Sequence, residues 1–252
     1  MRSRQLKLQA RQIIFAPRHP RVIFVTALYL LVSVALTQIM YSLSDIGQYQ
    51  SEMAARILAA AEAYARFNEP QPVTMPAFGF TVSGLFFFVV PWLFLWIMNL
   101  GYIFYARGIA REEALGYRSL IEGFNYFFKV ITIRILQTLA IFVGLVLFLV
   151  PGLVVMAMFS QVNLLLLDHP EKNVFWFFGE SNRIMRGKKW AYLRLWLSFF
   201  GWFFLSTMPM VGVAVQVWYI PYSTFSYVGF YHKLTGQGPA PPDEGWQRPG
   251  MF

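Results

Sequence analysis

Cysteine is absent from the 252-residue sequence, which excludes disulfides and thiolate metal sites. Charged residues make up only 13% of the chain, against roughly 25% in soluble globular domains. The sequence also lacks the H-E-x-x-H zinc motif, a phosphate-binding loop and the G-x-G-x-x-G dinucleotide motif. We therefore predict no metal site and no cofactor.

Apolar residues dominate what remains: 57% of the chain is hydrophobic, and the mean hydropathy is +0.49. The polar surface is too small to cover a water-soluble particle of this size, so lipid must replace water as the outer solvent. The sequence predicts an all-α fold, a polytopic membrane helical bundle. The net charge of +9 is expected from cytoplasmic loops rich in Lys and Arg, and we expect no nucleic-acid partner.

A transmembrane helix needs about 20 apolar residues to cross roughly 30 Å of hydrocarbon. Six segments approach this length, and we predict six transmembrane helices arranged as three hairpins. Their bounds are residues 22–43, 78–105, 133–150, 153–167, 191–208 and 211–231. The first segment is too long to be the core of a cleaved signal peptide. The predicted membrane domain is residues 22–232, with a basic segment (1–21) before it and a disordered tail (233–252) after it.

The dipeptide Pro151-Gly152 interrupts one of the longest apolar stretches. A single helix over residues 130–168 would be about 58 Å long, nearly twice the hydrocarbon thickness. Because Pro-Gly is typical of turns, we predict that it turns the chain between the third and fourth spans. This hairpin keeps the basic residues after the fourth span on the same side as the basic N-terminus, as the positive-inside rule favours.

The predicted topology places both termini in the cytoplasm and leaves only Arg56 and Arg66 of the basic residues outside. Residues 44–77 then form an outer loop. Apolar residues at helical spacing predict a helix over 51–67, and three prolines after it prevent its continuation. This helix is expected to cover the outer ends of the spans or to dock a partner.

Amphipathic basic segments are predicted on the cytoplasmic leaflet. Near the N-terminus, Leu6, Ala10 and Ile13 share one helical face and basic residues share the other, although a solvated lead-in is an alternative. A second interfacial helix is predicted within residues 173–190, with Gly187 as its C-cap. Residues assigned to anionic-lipid contact are Arg4, Lys7, Arg11, Arg183, Arg186, Lys188 and Lys189. A similar segment before the third span indicates a threefold repeat of segment and hairpin.

Polar residues recur at one level in the inner half of the predicted spans, about 9–11 Å from their cytoplasmic ends. This layer consists of Asn99, Gln137, Gln161, Asn163, Ser198 and Thr224. Two interpretations stay open. The side chains either form hydrogen bonds between helices, or they line a polar cavity that receives part of a lipid or peptide.

Several motifs over residues 116–234 resemble the bacterial membrane-protein family called domain of unknown function 975. The matching positions are Pro151, Gly152, Asp168, Pro170, Ser181, Met185, Gly187, Gly201, Trp202, Pro221 and Tyr222. The resemblance implies a bacterial integral membrane protein, and with the charge distribution it places the chain in the cytoplasmic membrane. It implies no particular reaction.

Three functions are compatible with these features. The first is a non-catalytic scaffold or accessory subunit of a membrane complex, favoured because no ionisable residue lies in the middle of a predicted span. The second is a carrier or exporter of an amphipathic peptide or lipid. The third is a membrane-surface enzyme, for which the candidates are Asp168, His169, Glu171 and Glu180. Asp-His-Pro-Glu is more typical of capping and surface charge at a helix start.

Membrane lipids and a membrane-protein partner or second copy are the expected partners.

Overall fold

The computed structural model of the protein describes residues 3–15, 21–68, 72–76, 79, 81–113, 115–208 and 211–236. Within these ranges the chain forms helices and no strand, which confirms the all-α prediction. The α-helices in chain order are α1 (Ser3–Phe15), α2 (Arg21–Leu43), α3 (Asp45–Phe67), α4 (Val82–Ala110), α5 (Phe127–Leu147), α6 (Leu149–Met158), α7 (Val162–Asp168), α8 (Val174–Ile184), α9 (Lys189–Leu197), α10 (Phe200–Ser206) and α11 (Gly212–Thr235). Two 3₁₀ turns, Tyr117–Leu120 and Glu122–Tyr126, precede α5.

Four segments are long and apolar enough to cross a membrane, as the membrane prediction requires. They are Val22–Leu43, Val82–Ala110, Tyr117–Leu147 and Leu149–Asp168. The regions predicted as the fifth and sixth spans are not in this set. A turn separates α9 from α10, and α11 is rich in tyrosine and hydroxyl side chains, which lower its hydropathy. The arrangement of six spans therefore stays a prediction.

The chain divides into two compact units, one of residues 1–30 and 97–252 and the other of residues 31–96. In the second unit, α3 begins six residues before the predicted helix start at 51. Ser44 explains the early start, because its side chain accepts a hydrogen bond from the Gly47 N–H and so caps the helix. Asn68 ends α3 in the left-handed conformation, with φ of 53°.

The chain reverses direction between α5 and α6, but at Phe148 rather than at the predicted Pro151-Gly152 turn. Phe148 is extended, and Pro151 lies in the first turn of α6, where the missing N–H has no helical acceptor to lose. A Cβ on Gly144 would lie 2.9 Å from the Cα of Gly152. Gly152 therefore permits the two helices to approach closely, and it does not form the turn.

Other predicted boundaries also shift. The fourth span is not one helix over 153–167, because a turn at residues 159–161 separates α6 from α7. The third span starts at Phe127 rather than at residue 133, which places more of the chain inside α5. The predicted disordered tail begins too early, since α11 continues to Thr235. Residues 237–252 lie outside the described residues.

Helix α1 packs against α11 and α9. Its buried face consists of Leu6, Ala10 and Ile14, so Ile14 takes the place predicted for Ile13. Leu6 joins a core with Phe199 and Phe230. One face of α1 is therefore covered by protein, whereas Arg4 and Arg11 are exposed on the other side.

Candidate functional site around two groups of arginines

The carboxylate of Asp168 ends the short helix α7 and lies inside the protein, with its side chain only 4% exposed. It accepts hydrogen bonds from Arg107 Nη1 at 2.6 Å and from Arg111 Nη2 at 2.9 and 3.2 Å. The Tyr231 hydroxyl donates a further bond at 2.5 Å. Arg107 lies in the last turn of α4 and Arg111 directly follows its last residue, so both side chains reach the same carboxylate. This Asp168 cluster connects α4, α7 and α11.

The Asp168 cluster corrects the sequence interpretation of Asp168 as a surface or capping residue. Removal of either partner from a buried ion pair leaves a charge without compensation, which destabilises a protein strongly. His232, next to Tyr231, is also buried, and its Nε2 has no hydrogen-bond partner among the described residues. The partners of Asp168 are more than 55 residues away in sequence, so no local pattern could identify them.

The other candidates for a membrane-surface enzyme lie apart from this cluster. His169 Nδ1 is 3.9 Å from Glu171 Oε1, and both side chains are exposed. Glu180 accepts two hydrogen bonds from Arg183, at 2.5 and 2.7 Å. The hydrogen bond from Arg183, followed by its charge, holds the pKa of Glu180 below its usual value. These carboxylates are engaged by neighbouring cations.

A third arginine, Arg134, is half-buried and has a different environment. It is the eighth residue of α5, and its Nη2 donates to Asn99 Oδ1 at 2.8 Å. Its Nε is enclosed and has no hydrogen-bond partner. No carboxylate of the described residues lies within 4.0 Å of this guanidinium. Sequence reasoning missed Arg134, because a span starting at residue 133 placed it at the membrane edge.

Two glutamines of the predicted polar layer lie around the turn between α6 and α7. Gln137 Nε2 donates to the Phe159 carbonyl oxygen at 3.2 Å, and Gln161 Nε2 donates to Ser160 Oγ at 2.7 Å. Both Oε1 atoms are buried and have no partner in the described part of the chain. Ser181 Oγ donates to the Met158 carbonyl at 2.7 Å. Side chains thus bond the carbonyls that the helix break frees.

The remaining members of the polar layer have other surroundings. Ser198 Oγ donates to the Leu195 carbonyl in its own helical turn. Asn163 and Thr224 are half-buried, and the described residues give them no hydrogen bond. The structure therefore assigns Asn99, Gln137, Gln161 and Ser198 to different bonding partners. A single cavity lined by all six residues stays a prediction.

The predicted lipid-contacting residues also differ among themselves. Arg186 and Lys188 are exposed, Lys189 is half-buried, and Gly187 is left-handed with φ of 68° in the turn after α8. Lys7 instead donates to the Ser198 carbonyl at 2.9 Å and lies 4.2 Å from the Phe199 ring centre. Partial burial lowers the pKa of Lys7. Contact of these residues with anionic lipid stays a prediction.

Comparison with known proteins bears on the family resemblance. Residues 129–238 match the model of the family described as Protein of unknown function (DUF975), which confirms the resemblance predicted from sequence. No curated protein and no solved structure matches the chain.

Proposed function

We propose that this chain, whose residues 129–238 match that family, is a non-catalytic integral membrane protein that acts as a scaffold or accessory subunit of a membrane complex. The proposal includes a bacterial cytoplasmic-membrane location, six spans and cytoplasmic termini. The observation that carries it is the Asp168 cluster, in which the protein's own side chains occupy both carboxylate oxygens.

A general acid or base must reach the proton that it transfers, within about 3 Å or through one water. Asp168 is enclosed by Arg107, Arg111 and Tyr231 and connects three helices, which fits a structural role. The exposed His169–Glu171 contact of 3.9 Å is longer than a hydrogen bond. These features support a scaffold over a membrane-surface enzyme.

The apolar surface also fits a protein that packs with other membrane components. On α10, Phe200, Phe203 and Phe204 are 51–60% exposed. Apolar side chains with this much exposed surface require acyl chains or another membrane helix as their neighbour.

Purification in native-lipid discs tests the proposal. We expect a second protein to copurify at fixed stoichiometry and to stay bound through size-exclusion chromatography. Mass spectrometry of the discs identifies that protein. Recovery of the chain alone, with a peptide or lipid enclosed between its helices, would contradict the scaffold role and support a carrier.

A carrier or exporter of an amphipathic peptide or lipid is the second candidate. The unpartnered Oε1 atoms of Gln137 and Gln161 favour it, because buried acceptors without donors are costly unless a ligand or water bonds them. Under this function, Gln161→Leu and Asn163→Leu abolish ligand binding and leave the melting temperature unchanged. Under the scaffold function, the same variants alter only stability.

Single introduced cysteines test the topology, since the chain has none of its own. Ser51 and Lys188 are exposed and suit this experiment, whereas Ser181 is buried. We expect a membrane-impermeant thiol reagent to label position 51 in intact cells, and position 188 only after the membrane is opened. Labelling of position 188 from outside would overturn the proposed topology.

A further inference from the structure

Arg134 lies well inside an apolar helix. It lies seven positions after Phe127, the first residue of α5, which corresponds to about 10 Å along the helix. The segment Tyr117–Leu147 is among the four that are apolar and long enough to cross a membrane. A charged side chain at such a position is costly, and it usually has a partner or a function.

The protein supplies Arg134 with only part of what a guanidinium needs. Asn99 Oδ1 accepts one hydrogen bond, but it is neutral. The Nε atom is enclosed without a partner. Nη1 makes no hydrogen bond to the residues that the structure describes, and unlike Nε it reaches the protein surface. A guanidinium has five N–H donors, so most of its donors and its whole charge need an external acceptor.

Neighbouring side chains hold the site in place. The rings of Tyr29 and Tyr102 stack with their centres 4.8 Å apart, and the Tyr102 hydroxyl bonds Thr26 at 2.8 Å. These residues belong to the same compact unit as Arg134 and Asn99. Asn99 lies three residues before Tyr102 on α4, so the segment that orients the guanidinium is itself held by these contacts.

The missing counter-charge must come from outside the described chain. Asp168, the acid with the least exposed side chain among the ion pairs, is bonded to Arg107 and Arg111. In a membrane, the abundant anions are lipid phosphates, and guanidinium groups bind phosphate oxygens through paired charge-assisted hydrogen bonds. Helical side chains point toward the helix N-terminus, so Arg134 extends toward the nearer end of α5, where headgroups lie.

We propose that Arg134, oriented by Asn99, binds the phosphate of an acidic phospholipid beside α5. This site is separate from the exposed basic residues around α8, and it does not depend on whether the chain is a scaffold or a carrier. A lipid bound here neutralises the guanidinium and supplies acceptors to its free N–H groups. Occupancy of the site stabilises the folded protein by mass action.

The test uses the full chain, purified in a nonionic detergent and freed of lipid. Phosphatidylglycerol, phosphatidylcholine with the same acyl chains, and inorganic phosphate are each titrated while the melting temperature is recorded. We expect phosphatidylglycerol alone to raise the melting temperature of the unchanged protein. Arg134→Gln should weaken this response by about tenfold or more, and the matched surface variant Arg66→Gln, at an exposed arginine outside the predicted lipid contacts, should keep most of it.

A second measurement covers the case in which Arg134→Gln fails to fold. Native mass spectrometry of the unchanged protein and of Arg134→Lys counts retained phosphatidylglycerol, and the lysine variant should retain less because it lacks the planar fork of donors. An equal response to phosphatidylcholine, or to inorganic phosphate, would overturn the lipid assignment. So would unchanged retention in both Arg134 variants, or a membrane-protein partner whose carboxylate cross-links at position 134.

Discussion

The Asp168 cluster and the Arg134 site both hold guanidinium groups that are buried or half-buried, yet these groups find their partners in different ways. Arg107 and Arg111 share the carboxylate of Asp168, which also accepts a hydrogen bond from the Tyr231 hydroxyl. Arg134 has one neutral amide oxygen and no carboxylate of the described residues within 4.0 Å. The fold supplies the counter-charge for the first group, whereas the surroundings of the protein must supply it for the second.

This difference distinguishes charges that stabilise the fold from charges that bind something outside the chain. A charge that is neutralised within the chain stabilises one arrangement of helices. Its removal therefore lowers the stability of the protein in any detergent or lipid. A charge without an internal partner makes stability depend on what the membrane offers. Detergents and lipids of defined charge can therefore distinguish the two sites experimentally.

The largest expected effect comes from Asp168→Asn. This change leaves the buried Arg107 without its carboxylate partner, and we expect the folded state to lose about 3–5 kcal/mol. Thermal unfolding in detergent measures the loss. The exposed neighbour Glu171 provides a matched control, because Glu171→Gln should leave the melting temperature nearly unchanged. Equal melting of the two variants would remove the structural role of the Asp168 cluster.

Tyr231→Phe tests the third partner of the carboxylate. It removes one hydrogen bond to a charged group, so the expected cost is about 1.5–3 kcal/mol. Tyr227→Phe on the same helix is the control, since Tyr227 makes no side-chain hydrogen bond to the described residues. Identical unfolding curves for the two phenylalanine variants would show that the 2.5 Å bond to Asp168 contributes little.

Arg134→Met and Arg107→Met are expected to change the stability of the protein in different ways. In nonionic detergent without acidic lipid, removal of a guanidinium that lacks a counter-charge should change stability by less than about 1 kcal/mol or raise it. Arg107→Met should instead lower stability by about 1–3 kcal/mol, because Asp168 loses a donor. Chemical unfolding of both variants decides the matter. A larger loss at Arg134 than at Arg107 would reverse our assignment of the two sites.

The smallest effect is expected at the exposed Glu180–Arg183 pair. Arg183 lowers the pKa of Glu180, so the pair stabilises the protein above the ordinary glutamate pKa of 4.5, and this contribution disappears as the pH falls through the lowered pKa. Melting temperatures of the unchanged protein and of Glu180→Gln, measured at falling pH, should therefore converge in acid. A constant difference at all pH values would exclude this linkage.

Prediction from sequence succeeded where length and hydropathy are sufficient. The apolar segments of α2 and α4 are long enough to be recognised as membrane spans from the sequence. Residues 130–168 are too long for a single span, and this length predicts that the chain reverses direction within them. The position of the reversal was wrong, because Pro151 is tolerated in the first turn of α6 and only packing shows that Gly152 contacts Gly144. The helix break at residues 159–161 likewise has no glycine or proline to signal it.

The candidate site was predicted in part. Asn99, Gln137 and Gln161 were selected because polar side chains inside apolar helices need partners. Their actual partners were not predictable, since they depend on which helix faces lie together. Arg134 was missed for a local reason: the stretch before residue 133 was predicted to be an amphipathic segment outside the third span, whereas the structure starts α5 at Phe127.

By itself, the sequence determined that this is an all-α protein with apolar segments long enough for a membrane and a surplus of basic residues, because composition and segment length act without regard to neighbours. The tertiary structure alone decided which charges are neutralised. Asp168 meets Arg107, Arg111 and Tyr231 across sequence separations of 61, 57 and 63 residues, while Arg134 meets no carboxylate within the described chain. Electrostatic compensation depends on distances of a few ångströms in space, and these exist only once the helices are packed.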